Sequence, residues 1–409
     1  MRQKIFLSSV AVLLAFGVSS FAQNYDLVIK GGRVIDPKNK INEAMDIAIR
    51  DGKIEAVAKH IDAKQAQVVD AKGLIVTPGL IDIHSHNFFG TQADHYLSNG
   101  FEALSPDGFT FRSGVTTVAD AGGAGWKNFA VFKEQTIAHS KTRVLSFLNI
   151  VGEGMRGGPY EQNLNDMDAK MTAAVIRQNK EIVGVKVAHY SGREWDPVDR
   201  AVEAGRMANV PVMIDFGGCD PPLSIEELFA KHLRPGDIFT HTFAELASRM
   251  SIAEGGKLRP FVAEAQRKGI IFDVGHGGGS FRFSQAVPAL KSGFFPHTIS
   301  TDLHTGSMNA GMKDQLNVMS KFLNMGMSVS QVIAASTWNP AQAIRREELG
   351  HLSVGAVADI ALFSSRKGKF GFVDSSGFKM EGEQKLDCEL TIREGKIVYD
   401  LNGISRPSY

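Results

Sequence analysis

The alternation of apolar and polar positions divides the chain into distinct stretches. Residues 25–78 read as β, short apolar runs broken by turn residues. Leu27-Val28-Ile29 and Arg33-Val34-Ile35 flank Gly31-Gly32, and Ile47-Ala48-Ile49 and Ile54-Glu55-Ala56-Val57 flank Asp51-Gly52, a hairpin signal. The far end has the same texture. Val357-Ala358-Asp359-Ile360-Ala361-Leu362 reads as a strand, and Leu390-Thr391-Ile392 and Lys396-Ile397-Val398-Tyr399 flank Glu394-Gly395. Ile49-Arg50-Asp51-Gly52-Lys53-Ile54 even returns as Ile392-Arg393-Glu394-Gly395-Lys396-Ile397. The economical arrangement is one small β-sandwich domain built from both chain ends, residues 23–78 and 344–409.

From 79 to 343 the rhythm is strand then helix, repeated. Apolar runs at 79–84, 115–120, 143–151, 182–187, 211–216, 237–241, 270–274 and 298–302 read as strands. Helices are expected at 197–208, with Asp196 as N-cap and Pro197 in the first turn, and at 257–268. Eight strands alternating with helices over 265 residues predict an α/β fold, a (β/α)8 TIM barrel. An open doubly wound sheet is the alternative, but no Gly-x-Gly-x-x-Gly follows an early strand to hold a dinucleotide phosphate. In a barrel, the long stretches 88–106 and 152–166 become loops on the face where substrates bind.

The first 22 residues fit neither pattern. A basic start (Arg2, Lys4), an apolar run from Ile5 to Val18 and a small-x-small end, Ser20-Phe21-Ala22, read as a signal peptide and predict a periplasmic or secreted protein. The run is shorter than the ~20 residues a membrane span needs, and no later apolar run reaches ~18.

Composition then narrows the function. With 45 basic and 44 acidic side chains the net charge is +1, which offers no field for nucleic acid. Cys219 and Cys388 are the only cysteines, too few for a disulfide framework. Twelve histidines are the unusual resource. The first barrel strand ends His84-Ser85-His86, and residues two apart on a strand face the same way. Lys186 interrupts the apolar fourth strand, where an unpaired ammonium is costly. The sixth ends Phe239-Thr240-His241 and the eighth ends Thr301-Asp302. Five polar groups at strand ends of one barrel converge on one mouth, a pattern expected of a metal centre.

This constellation resembles the amidohydrolase superfamily over nearly the whole chain after the leader. Thr77-Pro78-Gly79-Leu80-Ile81-Asp82-Ile83-His84-Ser85-His86 opens the likeness, and Asn339-Pro340-Ala341, Gly350 and Gly355-Ala356-Val357-Ala358-Asp359-Ile360 close it. Phe272-Asp273-Val274-Gly275-His276-Gly277, Ser280-Phe281 and Thr301-Asp302-Leu303-His304 look like the dihydroorotase-like deacetylase group, hydrolases of N-acyl amino acids and small acetyl esters. The resemblance implies two zinc ions per subunit, with manganese as an alternative. His84, His86 and Asp302 would hold the buried ion, Lys186 as a carboxylated lysine would bridge, and His241 would hold the second. Strand five ordinarily supplies a histidine to that second ion, but here Asp215 stands in its place.

The implied chemistry is hydrolysis of an amide or ester by metal-activated hydroxide, with Asp302 as general base and then acid. Substrate-binding candidates around the mouth are His276, His304, Arg156, His189, Tyr190 and Arg193. A small molecule is the expected partner, and a homo-oligomer stays open. The competing readings are a cyclic-amide hydrolase of dihydroorotase or hydantoinase type, and a non-catalytic barrel.

Overall fold

The computed structural model describes residues 24–89, 102–215 and 218–407. The leader expected at 1–22 and most of the loop expected at 88–106 lie outside them.

Seven parallel strands form a curled sheet: Leu80–Ser85, Val115–Gly125, Arg143–Asn149, Ile182–Val187, Val212–Ile214, Ile238–Phe239 and Ile271–Phe272. Neighbours in sequence are neighbours in space, as right-handed strand–helix–strand units require. The eighth expected strand, 298–302, forms no regular strand. Its segment joins the sheet at two parallel bridges, Asp273 with Thr298 and Ser85 with Leu303, and these close the ring. Backbone bonds carry the pairing, from the Val274 and Gly277 amides to the Thr298 and Thr301 carbonyls at 3.1 and 2.9 Å and from the His86 amide to the Leu303 carbonyl at 2.9 Å. Side chains add to it: the Thr298 and Ser300 hydroxyls donate to Asp273 at 2.6 and 2.7 Å, and the Thr301 amide donates to Asp82 Oδ1 at 3.1 Å. A left-handed backbone at Asp302, φ 52°, ends the extended run.

Apolar side chains from the strands fill the ring and its helical coat. Ile81, Ile83, Ala119, Leu145, Phe147, Val183 and Met213 pack in one cluster. The strands are buried along their length, as expected of a parallel sheet covered on its outer face. The first expected helix is Asp196–Ala208, but Trp195 is its N-cap and Asp196 is already helical, adding an acidic group to the first turn. The second is shorter than expected, Pro260–Arg267, because Lys257–Leu258 pairs with Ala253–Glu254 as a small hairpin.

Both chain ends share one eight-stranded sheet. Its seam is the antiparallel pair of Ile75–Pro78 with the start of Ile360–Val373. The two halves flanking Gly31-Gly32 are one strand, Leu27–Asp36, with a bulge between Ile29 and Gly32 rather than a turn. The hairpin around Asp51-Gly52 is present. Ile360–Val373 and Lys379–Arg393 form a hairpin far longer than the sequence pattern suggests. Its tip reaches the barrel: Asp374 accepts from the Phe283 amide at 3.1 Å and Ser375 donates to the Phe281 carbonyl at 2.5 Å. Cys219 and Cys388 are both buried and free.

Candidate active site

The strand ends deliver their polar residues to one mouth. One donor atom each from His84, His86 and Asp302 lies within 4.8 Å of the others, and all three side chains are buried. His86 Nε2 is 2.9 Å from Asp302 Oδ1 and His84 Nε2 is 3.5 Å from the same oxygen.

Hydrogen bonding behind these residues sets their chemistry. Thr240 donates its hydroxyl proton to Asp273 Oδ2 at 2.7 Å, so toward His84 Nδ1, 2.8 Å away, it accepts. His84 therefore carries its proton on Nδ1 and turns the Nε2 lone pair to the mouth. Burial first, then the charge of Lys186, pushes the His84 imidazole down to about 3, so it is neutral at ordinary pH. Burial works against the Asp302 carboxylate, but the surrounding imidazoles of His84, His86 and His241 and the His86 hydrogen bond hold it well below the usual range. Two imidazoles and one ionised carboxylate are the donor set that suits a divalent cation such as zinc.

Lys186 is completely buried, with Nζ 3.2 Å from His84 Nε2 and 3.8 Å from Met213 Sδ. Burial lowers its affinity for a proton, opposed by Asp215, Asp302 and Asp273. The close approach of two strands here requires Gly122: a Cβ at that position would sit 2.7 Å from Lys186 Cγ.

His241 donates from Nδ1 to the Gly275 carbonyl at 2.6 Å, and its Nε2 lies 3.3 Å from Asp215 Oδ2. Asp215 does not join the three-donor group. Its Oδ1 is 3.3 Å from Arg249 Nη1, and its Oδ2 is also 3.4 Å from His189 Nε2. Arg249 carries no signal in the sequence pattern, yet its side chain is only 4% exposed.

A cavity of about 250 Å³ opens over these groups, walled by His86, His189, His241, Arg249, Asp302 and His304 among others. His189, His241 and Asp302 all take left-handed backbone, φ 55°, 53° and 52°. Such strain, about 1–3 kcal/mol per residue, persists where surrounding structure dictates the position.

The expected substrate-binding residues divide. His304 and His189 line the cavity. His304 Nδ1 is fixed by Glu102 at 2.6 Å, and His189 Nδ1 by Glu161 at 2.7 Å. His276 is buried behind the wall, where it stacks on Phe281 at 4.4 Å, donates to the Gly277 carbonyl and accepts from Lys321 Nζ at 2.6 Å. That geometry makes it a brace rather than a substrate contact. Arg156 pairs with Glu153 and lies over the Tyr160 ring, Tyr190 donates to Glu194, and Arg193 donates to the Pro221 carbonyl. These three lie off the cavity because local partners satisfy them first.

A parallel barrel that gathers two imidazoles and a carboxylate at the C-terminal ends of its strands defines a metal-dependent barrel hydrolase. The sequence signature of the amidohydrolase family matches residues 283–398. A deacetylase of Agrobacterium fabrum is 35% identical over 351 residues, 83% of this chain and 83% of that protein. A deacetylase of Brucella anthropi is 35% identical over 338 residues, 80% of this chain and 81% of that protein. A crystal structure described as a dihydroorotase superposes with a TM-score of 0.80 at 30% identity, covering 91% of this chain and 99% of the other. One described as an adenine deaminase gives 0.81 at 29%, covering 92% and 100%. The chain belongs to the amidohydrolase family, and it is a hydrolase acting on carbon–nitrogen bonds.

Proposed function

We propose that this hydrolase removes an acetyl or other small acyl group from an amino acid or a comparable small molecule, at a zinc site held by His84, His86 and Asp302. The observation that carries the reading is that grouping, whose donor atoms lie within 4.8 Å, with His84 tautomerically fixed for ligation. The deacetylase relatives support the acyl group, and their match extends over four-fifths of the chain, while curated dihydroorotases match only about 85 residues.

A bound divalent cation supplies Lewis acidity, polarising a carbonyl and bringing the pKa of water near ~7. The chain's own residues do the rest. Asp302, ionised and held by His86, accepts the proton of the attacking water at its carboxylate. It then returns that proton to the leaving nitrogen or oxygen. His304 Nε2, 3.8 Å from Asp302 Oδ2, bounds the space in which this transfer occurs. His189 is pushed up to about 9, since the Glu161 hydrogen bond and the Asp215 charge outweigh its burial. It therefore offers a positive charge on the cavity wall to a substrate carboxylate. Lys186, made less basic by burial, is the amine that carbon dioxide would carboxylate, releasing a proton and placing a carbamate anion beside His84. The leader 1–22 is proposed to direct the protein to the periplasm or beyond.

The test is a panel of N-acyl-D- and N-acyl-L-amino acids, acetyl esters and cyclic imides, run on protein of measured metal content. Turnover of acyl amides or esters supports the reading. Turnover confined to cyclic imides favours the dihydroorotase-type alternative.

A further inference from the structure

We propose that the reaction centre of this chain holds one metal ion, because Arg249 engages the carboxylate that a second ion would need. The inference rests on the metal-hydrolase reading and narrows it.

A second ion beside His241 requires a ligand from the end of strand five, and Asp215 is the residue there. Its two oxygens are already occupied. Arg249 Nη1 stands 3.3 Å from Oδ1, while His241 Nε2 and His189 Nε2 stand 3.3 and 3.4 Å from Oδ2. Arg249 is not a surface side chain that swings away. Nη2 donates to the Thr240 carbonyl at 2.8 Å, and Cζ lies 4.8 Å over the Phe239 ring. The guanidinium is thus clamped by a carboxylate, a carbonyl and a π-face, and it keeps its charge at any working pH.

Placing a divalent cation on Asp215 would set it against that fixed positive charge within a buried pocket. Removing Arg249 to make room would leave its charge without a partner in the same place, a costly alternative. Lys186 adds to the asymmetry, because its Nζ lies 3.2 Å from His84 Nε2, on the side of the three-donor group. Among the described residues no such guanidinium engages His84, His86 or Asp302: their side chains meet one another and Thr240, Asp273, Lys186, His241 and His304. A fixed guanidinium therefore holds one oxygen of the carboxylate that a second cation would use, and the two halves of the centre differ in kind.

The experiment counts ions. Full-length protein is loaded with zinc in the presence of bicarbonate, gel-filtered and analysed by plasma mass spectrometry, with chelator competition for affinity. Wild type is expected to retain one zinc per chain. The double variant Asp215→Asn with Arg249→Met, which removes the pair without leaving an unpaired charge, is expected to retain one zinc with affinity within about threefold of wild type. Arg249→Met alone frees the carboxylate and is expected to admit a second zinc. Two zinc ions in wild type, falling to one in the double variant, would overturn the proposal, as would a folded Arg249→Met protein that stays at one. If the single variant fails to fold, wild type and the double variant still decide. A folded wild type that binds no zinc contradicts the metal-hydrolase reading itself, so the two failures are told apart.

Discussion

His84 donates its Nδ1 proton to the Thr240 hydroxyl at 2.8 Å, and that hydroxyl in turn donates to Asp273. A buried carboxylate two bonds away thereby decides which nitrogen of His84 faces the cavity. Thr240→Val keeps the shape and removes the relay. We expect metal affinity to fall about 10- to 100-fold, as for other partners that orient a metal ligand. Competition with a chelator measures it, and an unchanged affinity would detach Thr240 from the metal site.

Asp302 has a different task, since it also handles the proton. Asp302→Asn keeps an oxygen donor but cannot accept a proton at neutral pH. Turnover should fall about 10²- to 10⁴-fold while zinc is retained. Steady-state kinetics paired with metal analysis separates the two effects.

Gly277 lies against Asp302. Its φ is 54°, and an added Cβ would come 2.2 Å from Asp302 Oδ2. Gly277→Ala should cost about 1–3 kcal/mol in stability through strain and overpacking, and should displace the carboxylate. The expected outcome is a folded protein, by circular dichroism, with a lowered melting temperature and most activity lost.

His189 gives the protein a pH signature. Its folded pKa is raised to about 9, above the ~6.5 of an unperturbed histidine. The folded state therefore binds the proton more tightly than the unfolded state. The stabilisation this supplies is complete below pH ~6.5 and is lost as pH rises through about 9. Melting temperature followed across that window should decline in wild type and decline less in His189→Gln.

The sequence made the strand-end chemistry legible because each polar residue interrupts an apolar run at a fixed place. His84, His86, Lys186, His241 and Asp302 all lie in the mouth that the alternating pattern implied. Loop residues were opaque. Tyr190, Arg193 and Arg156 are close to the site in sequence, yet each finds a nearer partner. Arg249 lies eight residues past His241 in an irregular stretch, where no periodicity marks a buried cation. Asp273 stood inside a recognised phrase, but its role depends on contacts with Thr240, Thr298 and Ser300 from two other segments. The eighth segment pairs with its neighbours at two isolated bridges rather than along a continuous ladder, a distinction that an apolar run in the sequence does not carry.

The central claim is that the His84, His86 and Asp302 grouping makes this chain a metal-dependent acyl hydrolase. The most direct measurement is release of acetate or another acid from N-acyl amino acids and acetyl esters by zinc-loaded protein, before and after chelation. The account predicts turnover that disappears on zinc removal, returns on reloading, and is absent in His84→Ala. No acyl release from any of these substrates by folded, zinc-loaded protein, or release that survives complete chelation, would contradict it.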